Sequence, residues 1–134
     1  MVKQVIVIRK DLKMRKGNMI AQGAHASIKV ILDEFYRTPF GNDESYTNFH
    51  LTLSKESPLH EWLEGIFTKV VVGCDSEAEL LSLKTIAQIY KIRSALIRDS
   101  GETNFNGVPT HTALAIGPDY SDKIDKITGH LKLL

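Results

Sequence analysis

Four β-branched residues in succession, Val5-Ile6-Val7-Ile8, run directly into a loop with five positive charges in eight positions. A continuous apolar run of this kind predicts a buried strand, Lys3–Ile8, of the sort found in sheets covered by helices. The loop closes on Gly17-Asn18, and a long amphipathic segment follows. Ile20, Ala24, Ile28, Ile31 and Phe35 recur at helical spacing and predict the core-facing stripe of a helix from about Met19 to about Arg37. Asn18 is placed to cap that helix, and Pro39 sets its latest end. Asn18, Gln22, His25 and Lys29 recur with the same spacing on the opposite side. A polar stripe that starts beneath a cationic loop suits a phosphate-bearing ligand.

The rest of the chain alternates strands with helices. Thr38–Ser57 mixes Pro, Gly, Asn, Asp and Ser with scattered aromatics and reads as the longest irregular stretch, with a short strand near Phe49–Leu53. Ser57-Pro58 is a helix start, and Gly65 terminates the short helix PLHEWLE. Phe67–Val72 predicts a second buried strand. Ser76 and Glu79 form a capping box opening a helix to about Tyr90, with Leu80, Leu83, Ala87 and Tyr90 on one face. Arg93–Arg98 and Thr112–Gly117 predict two further strands around a polar loop, and Tyr120–Thr128 a last helix. Alternation of this kind predicts a single α/β layered domain with a largely parallel sheet. The loop between the last two strands is too short for a crossover, so at least one strand runs antiparallel.

Net charge is +1 over 134 residues, but it is unevenly spread. Arg9, Lys10, Lys13, Arg15 and Lys16 against the single acid Asp11 give residues 9–16 a local charge of +4, which leaves −3 elsewhere. A local patch attracts a polyanion where an even spread would not; a solvated charged loop is the plainer reading of the run taken alone. The lone Cys74 excludes an internal disulfide and fits a reducing compartment, so cytosolic is the default expectation. No apolar stretch approaches a membrane span, and the N-terminus lacks the features of a secretory signal.

Negative findings narrow the chemistry. The sequence holds neither a G-x-x-x-x-G-K-[ST] loop nor a G-x-G-x-x-G fingerprint. Its five histidines never pair at ligand spacing, and one cysteine cannot start a zinc cluster. The expectation is chemistry without cofactor or metal, or no chemistry at all. Asp99 falls where the third strand stops, a place where open α/β sheets gather ligands, and Thr103 follows in a glycine-containing loop. Asp99-Ser100-Gly101 also reads as an ordinary turn, and Asn18 as an ordinary cap.

A set of motifs resembles the type II peptidyl-tRNA hydrolases, the archaeal and eukaryotic kind. They are KQVIVIRKDLKMRKG (Lys3–Gly17), AQGAHAS (Ala21–Ser27), KVVV (Lys69–Val72), SEAEL (Ser76–Leu80), IRDSGET (Ile97–Thr103), THTALAIGP (Thr110–Pro118) and ITGHLKLL (Ile127–Leu134). They follow in order along the chain and leave the loop after the first helix uncovered. The resemblance implies a three-layer α/β/α domain with a mixed four-stranded sheet, assembled as a homodimer. It implies hydrolysis of the ester joining a peptide to the terminal ribose of tRNA, with peptidyl-tRNA as partner and no membrane. The family's polar site positions fall on Lys16, Gln22, His25, Asp99, Thr103, Thr110 and Thr112. On this reading Asp99 orients or deprotonates a water held by Thr103, and Lys16 with backbone N–H groups faces negative charge. Arg9, Lys13, Arg15 and Lys16 then bind phosphates of the acceptor stem.

Two departures stand out. The family usually reads K-G-K at the end of the basic loop, and Asn18 occupies the second lysine's place. An amide can donate to an oxyanion but supplies no full charge. The loop NFNGVPTHT is one residue longer than usual and carries Pro109 in place of a glycine, which leaves the register of Thr110 and Thr112 open. Asn18 favours an alternative, a member of the fold that binds tRNA or protein without turnover. Retained Asp99 and Thr103 favour the hydrolase.

Overall fold

Every side chain from Gln4 to Arg9 is buried, which makes β1 (Val2–Arg9) the axle of the sheet. The computed structural model describes residues 1–102 and 104–134. After β1 come α1 (Lys16–Leu32), β2 (Tyr36–Phe40), β3 (Asp43–His50), α2 (Pro58–Glu64), β4 (Lys69–Cys74), α3 (Glu77–Ile89), β5 (Ser94–Asp99), β6 (Thr110–Tyr120) and α4 (Ser121–Thr128). The main sheet has the order β4-β1-β6-β5. Only β1 and β4 pair in parallel; β6 runs antiparallel to both β1 and β5. The sheet is thus mixed as the resemblance implies, and the expectation of a largely parallel one is corrected. The short β5–β6 connection makes an antiparallel neighbour, and β6 then sits between β5 and β1.

Alternate residues of β1 serve two cores. Val5 and Val7 pack with Leu80, Leu83 and Ala87 of α3 and with Ile124 and Ile127 of α4. Ile6 and Ile8 pack with Ala26, Val30 and Ile31 of α1 and with Leu59 and Trp62 of α2. The result is a three-layer α/β/α arrangement. Gln4, buried within the axle, accepts a 2.6 Å hydrogen bond from Ser27 Oγ of α1, so its amide ties sheet to helix at no desolvation loss. Backbone bonds from Gly73 N to Lys132 O and from Leu134 N to Val71 O lay the chain's last residues along the outer edge of β4.

Local signals set most helix starts. Ser57 Oγ accepts from His60 N ahead of Pro58, and Ser76 Oγ accepts from Glu79 N. Tyr90, expected on one face with Leu80, Leu83 and Ala87, is exposed just past the end of α3.

Three expectations about the first helix fail. It starts at Lys16, so Asn18 lies inside the first turn and Arg15 holds the cap position without a side-chain cap bond. It ends at Leu32, short of the expected end at about Arg37. Its buried residues are Gln22, Gly23, Ala26, Val30 and Ile31, while Ile20, Ala24 and Ile28 face outward. Thr38–Ser57 is also not the irregular stretch expected. Most of it joins Tyr36–Phe40 in a separate antiparallel hairpin, β2–β3, with Pro39 tolerated because both strands are edges.

Candidate active site

At about 100° per residue, α1 carries three stripes. The buried one, Met19–Gly23–Ala26–Val30, seats the helix on the sheet. On one flank lie Asn18, Gln22, His25 and Lys29; on the other lie Lys16, Ile20, Ala24 and Ile28. The polar flank looks toward the strand ends of β5 and β6.

Two devices at those strand ends aim side chains at it. Ile97 pairs with Ala113 but Arg98 pairs with His111, so Thr112 has no partner and forms a β-bulge. The extra residue turns Thr112 toward α1, on the same side as Ala113, as bulges beside sites do. The second device is Gly101. Its φ is +81°, and a Cβ there would stand 2.4 Å from Val108 O, so only glycine closes this loop. Gly101 N donates to Asp99 Oδ1 at 2.7 Å and fixes the carboxylate.

Gln22 joins the pieces. It is 2% exposed, and its Nε2 donates to Asp99 Oδ2 at 2.9 Å and to Asn18 Oδ1 at 3.1 Å, while its Oε1 accepts from Thr112 Oγ1 at 2.7 Å. Donor and acceptor rules fix the orientation of the whole chain of bonds. An ionised carboxylate only accepts, so Gln22 must present its NH₂ to Asp99. Both hydrogens of that NH₂ are then used, which obliges Asn18 to turn its carbonyl oxygen inward. The Asn18 NH₂ group is left facing outward, with no hydrogen bond among the described residues. It sits beside the uncapped backbone N–H groups of the first turn of α1, a second set of donors pointing the same way.

The expected site residues therefore divide. Asn18, Gln22, Asp99 and Thr112 converge. His25 lies on the same flank one turn on, exposed and outside the bond network. Thr110 Oγ1 bonds Val108 O within its own loop. Thr103, expected to hold the water, lies outside the described residues. Lys16 starts the same helix, on the same face of the sheet as Asp99, but lines the groove on the other flank.

Among the basic residues, Lys13, Arg15 and Lys16 are exposed and form no ion pair among the described residues. Arg9 is occupied elsewhere. At 8% exposure it holds Asp11 through two bonds (Nη2–Oδ2 2.6 Å, Nε–Oδ1 3.1 Å) and donates to His111 O at 3.0 Å. Arg9 follows the face of Val5 and Val7, so it sits on the α3 side of the sheet, where Glu77 is 3.7 Å away. Its hydrogen bond to Asp11 raises the guanidinium pKa and lowers that of the carboxyl. Arg9 braces the basic loop from beneath. Lys10 is partnered as well, with Asp75 at 3.3 Å.

Sequence reasoning missed the Gly101 amide and the Thr112 bulge. Asp99-Ser100-Gly101 carried a signal for the first, as a turn that returns an N–H to its own aspartate. A bulge depends on strand register and has no local signature here.

No helix among the described residues is long and apolar enough to cross a membrane. A family model described as "Peptidyl-tRNA hydrolase PTH2" matches residues 2–134. A protein of Methanocaldococcus jannaschii named peptidyl-tRNA hydrolase is 43% identical, over 99% of this chain and all of its own. One of Thermococcus onnurineus with the same name is 41% identical, over 98% and 97%. A Drosophila melanogaster protein named probable peptidyl-tRNA hydrolase 2 is 36% identical, over 98% of this chain and 61% of its own. A solved Agrobacterium structure of a protein of unknown function shares the fold, with a TM-score of 0.58 at 14% identity, covering 99% of this chain and 97% of that one.

Proposed function

As a member of the peptidyl-tRNA hydrolase PTH2 family, the chain hydrolyses the ester between a peptide and the 3′-terminal ribose of tRNA, and we propose that Asp99, Gln22 and Asn18 carry the reaction. Asp99, steadied by Gly101 N and Gln22 Nε2, accepts a proton from water as the water oxygen attacks the ester carbonyl. The carbonyl oxygen becomes an oxyanion and takes hydrogen bonds from the Asn18 NH₂ and from the first-turn N–H groups of α1. As the intermediate collapses, the carbon–oxygen bond to the ribose breaks. The leaving oxygen takes up the proton from Asp99, the peptide leaves as an acid, and the tRNA is freed.

The observation that carries this reading is the bond sequence Thr112–Gln22–Asp99 with Asn18 as its outer end. It turns the amide that replaces a lysine into a fixed donor, so the site needs no second cation to receive the oxyanion. Lys16, at the helix start, adds charge along the path of the tRNA 3′ end. Lys13, Arg15 and Lys16 bind acceptor-stem phosphates without reading sequence; Arg9 is left out because its guanidinium is already bonded on the other face of the sheet.

The reading extends to a cytoplasmic homodimer. The substrate arises where translation occurs, and the thiol of Cys74 is kept free and buried. Dimerisation is supported by the outer flank of α1, where Ile20 is 73% and Ile28 54% exposed with the small Ala24 between them. Two such ridges crossed at Ala24 present the same surface to each other, as a twofold interface requires.

The test is hydrolysis of an N-blocked aminoacyl-tRNA by wild type, Asp99→Ala, Asn18→Ala and Asn18→Lys. Loss of one oxyanion donor in Asn18→Ala should lower kcat by about 10²-fold, and Asp99→Ala should abolish turnover. A wild type without turnover that Asn18→Lys rescues would mark the site as a binding module instead.

A further inference from the structure

The main sheet has two edges, and the fold treats them differently. The edge of β4 is covered by the chain's last residues: Gly73 N donates to Lys132 O, Leu134 N donates to Val71 O, and Val72 bridges Leu133. At the other end of the sheet order stands β5, whose strand neighbour is β6. Among the described residues, no segment pairs with the outer side of β5. Such an edge offers a row of backbone donors and acceptors to an incoming chain.

The ladder shows which groups are on offer. Arg93 O accepts from Gly117 N at 2.8 Å, so Arg93 faces β6. Successive residues of an antiparallel strand alternate in the direction of their backbone groups. Ala95 and Ile97 therefore also face β6, while Ser94, Leu96 and Arg98 turn their N–H and C=O outward. The extra residue of the bulge belongs to β6, which leaves the alternation of β5 intact. Ser94 agrees with this, because its O accepts from Lys84 Nζ at 3.0 Å, outside the sheet. The same lysine bonds Ser94 Oγ at 2.9 Å and closes that end of the edge. Leu96 and Arg98 have no backbone partner outside the sheet among the described residues.

The open part of the edge leads straight to Asp99, the last residue of β5. Asp99 shares the α1 face of the sheet with Ala95 and Ile97. A peptide whose C-terminal carbonyl reaches this carboxylate must leave the site along some surface, and the basic loop is taken by tRNA. The ridge Ile20–Ala24–Ile28 lies on the other flank of α1, so dimerisation there does not compete. Peptides on tRNA vary in sequence. Pockets fitted to side chains would serve few of them, whereas backbone hydrogen bonds to a strand edge serve all.

We propose that the substrate's peptide adds to β5 as a parallel strand, held through its backbone at Leu96 and Arg98, with its ester end at Asp99. The parallel sense follows because β5 runs toward Asp99 and the ester is at the peptide's C-terminal end. Lys84 bounds the subsite at Ser94, and about four peptide residues fill it at roughly 3.3 Å each. The proposal rests on the reading of Asp99 as the base.

The test is kcat/KM of wild type on tRNA carrying one N-acetylated residue and on tRNA carrying longer peptides. The value should rise about tenfold by the fourth residue and then level off. Equal values at every length overturn the proposal and leave the hydrolase site standing. Failure to cleave any of them, or full turnover by Asp99→Ala, overturns the site reading and this proposal with it. N-methylation of successive peptide residues, one at a time, should cost about fivefold at alternate positions only, as a strand requires. Losses without alternation, or no losses, refute the added strand. On the protein, Arg98→Pro removes the outward N–H without taking a bond from the β5–β6 ladder. It should lower several-fold the ratio of kcat/KM for the four-residue over the one-residue substrate, and Arg98→Ala, which keeps the N–H, should retain that ratio. An unchanged ratio in Arg98→Pro, or an equal fall in both variants, refutes the backbone contact.

Discussion

Replacing Gln22 by glutamate swaps an NH₂ for an oxygen 2.9 Å from Asp99. Shape is nearly unchanged, so the effect isolates the electrostatics of the bond network. Two carboxylates at 2.9 Å repel by about 6 kcal/mol at an effective dielectric of about 20. The pair avoids that by keeping one proton, at a cost set by how far the pH lies above the ordinary glutamate pKa of about 4.3. At pH 7 that cost is about 4 kcal/mol, and at pH 5 about 1 kcal/mol. The sign follows from the raised folded-state pKa of the new carboxyl. Its stability contribution is intact below the unfolded pKa and is lost as pH rises toward the folded one. Urea unfolding of wild type and Gln22→Glu at pH 5, 6 and 7 reads this directly, as a gap that widens by about 1.4 kcal/mol per pH unit. Gln22→Met provides the uncharged control. It leaves the Thr112 hydroxyl buried without a partner and should cost about 1–3 kcal/mol at every pH. A Gln22→Glu penalty that stays constant from pH 5 to 7 would mean that the amide does not face a carboxylate, and the orientation argued for Asn18 would fall with it.

Replacing Arg15 and Lys16 with alanine should weaken tRNA binding and lower the slope of log affinity against log salt by roughly 1–2; an unchanged slope removes the basic loop from the interface. Cys74, buried and held as a thiol by a pKa of about 11, should resist alkylation at pH 8 in the native protein and react once urea unfolds it. Asp11 has its pKa lowered chiefly by the Arg9 hydrogen bond. The stability it adds is present above the ordinary aspartate pKa and fades as pH falls through the lowered value. Asp11→Asn and wild type should therefore differ modestly at pH 7 and converge in acid, as followed by thermal unfolding.

What the sequence determined by itself was the order and kind of the elements outside hairpin β2–β3. Periodicity and capping are local, so the buried run of β1, the Ser57-Pro58 start of α2 and the Ser76 cap of α3 could be read from neighbours a few residues apart. Asp99 at a strand end was legible for the same reason. Tertiary structure decided what local pattern leaves degenerate. Helix α1 has two apolar stripes, Ile20–Ala24–Ile28 and Met19–Gly23–Ala26–Val30, and only one can meet the sheet. The second meets it because its small residues allow a close approach, with Gly23 against Ile6 and Ile8. That choice of rotation exposes the bulkier ridge and carries Gln22 to Asp99. Strand direction, the Thr112 bulge and the use of Arg9 as a brace were likewise settled between segments that meet only in the fold, whose pairing no local spacing encodes.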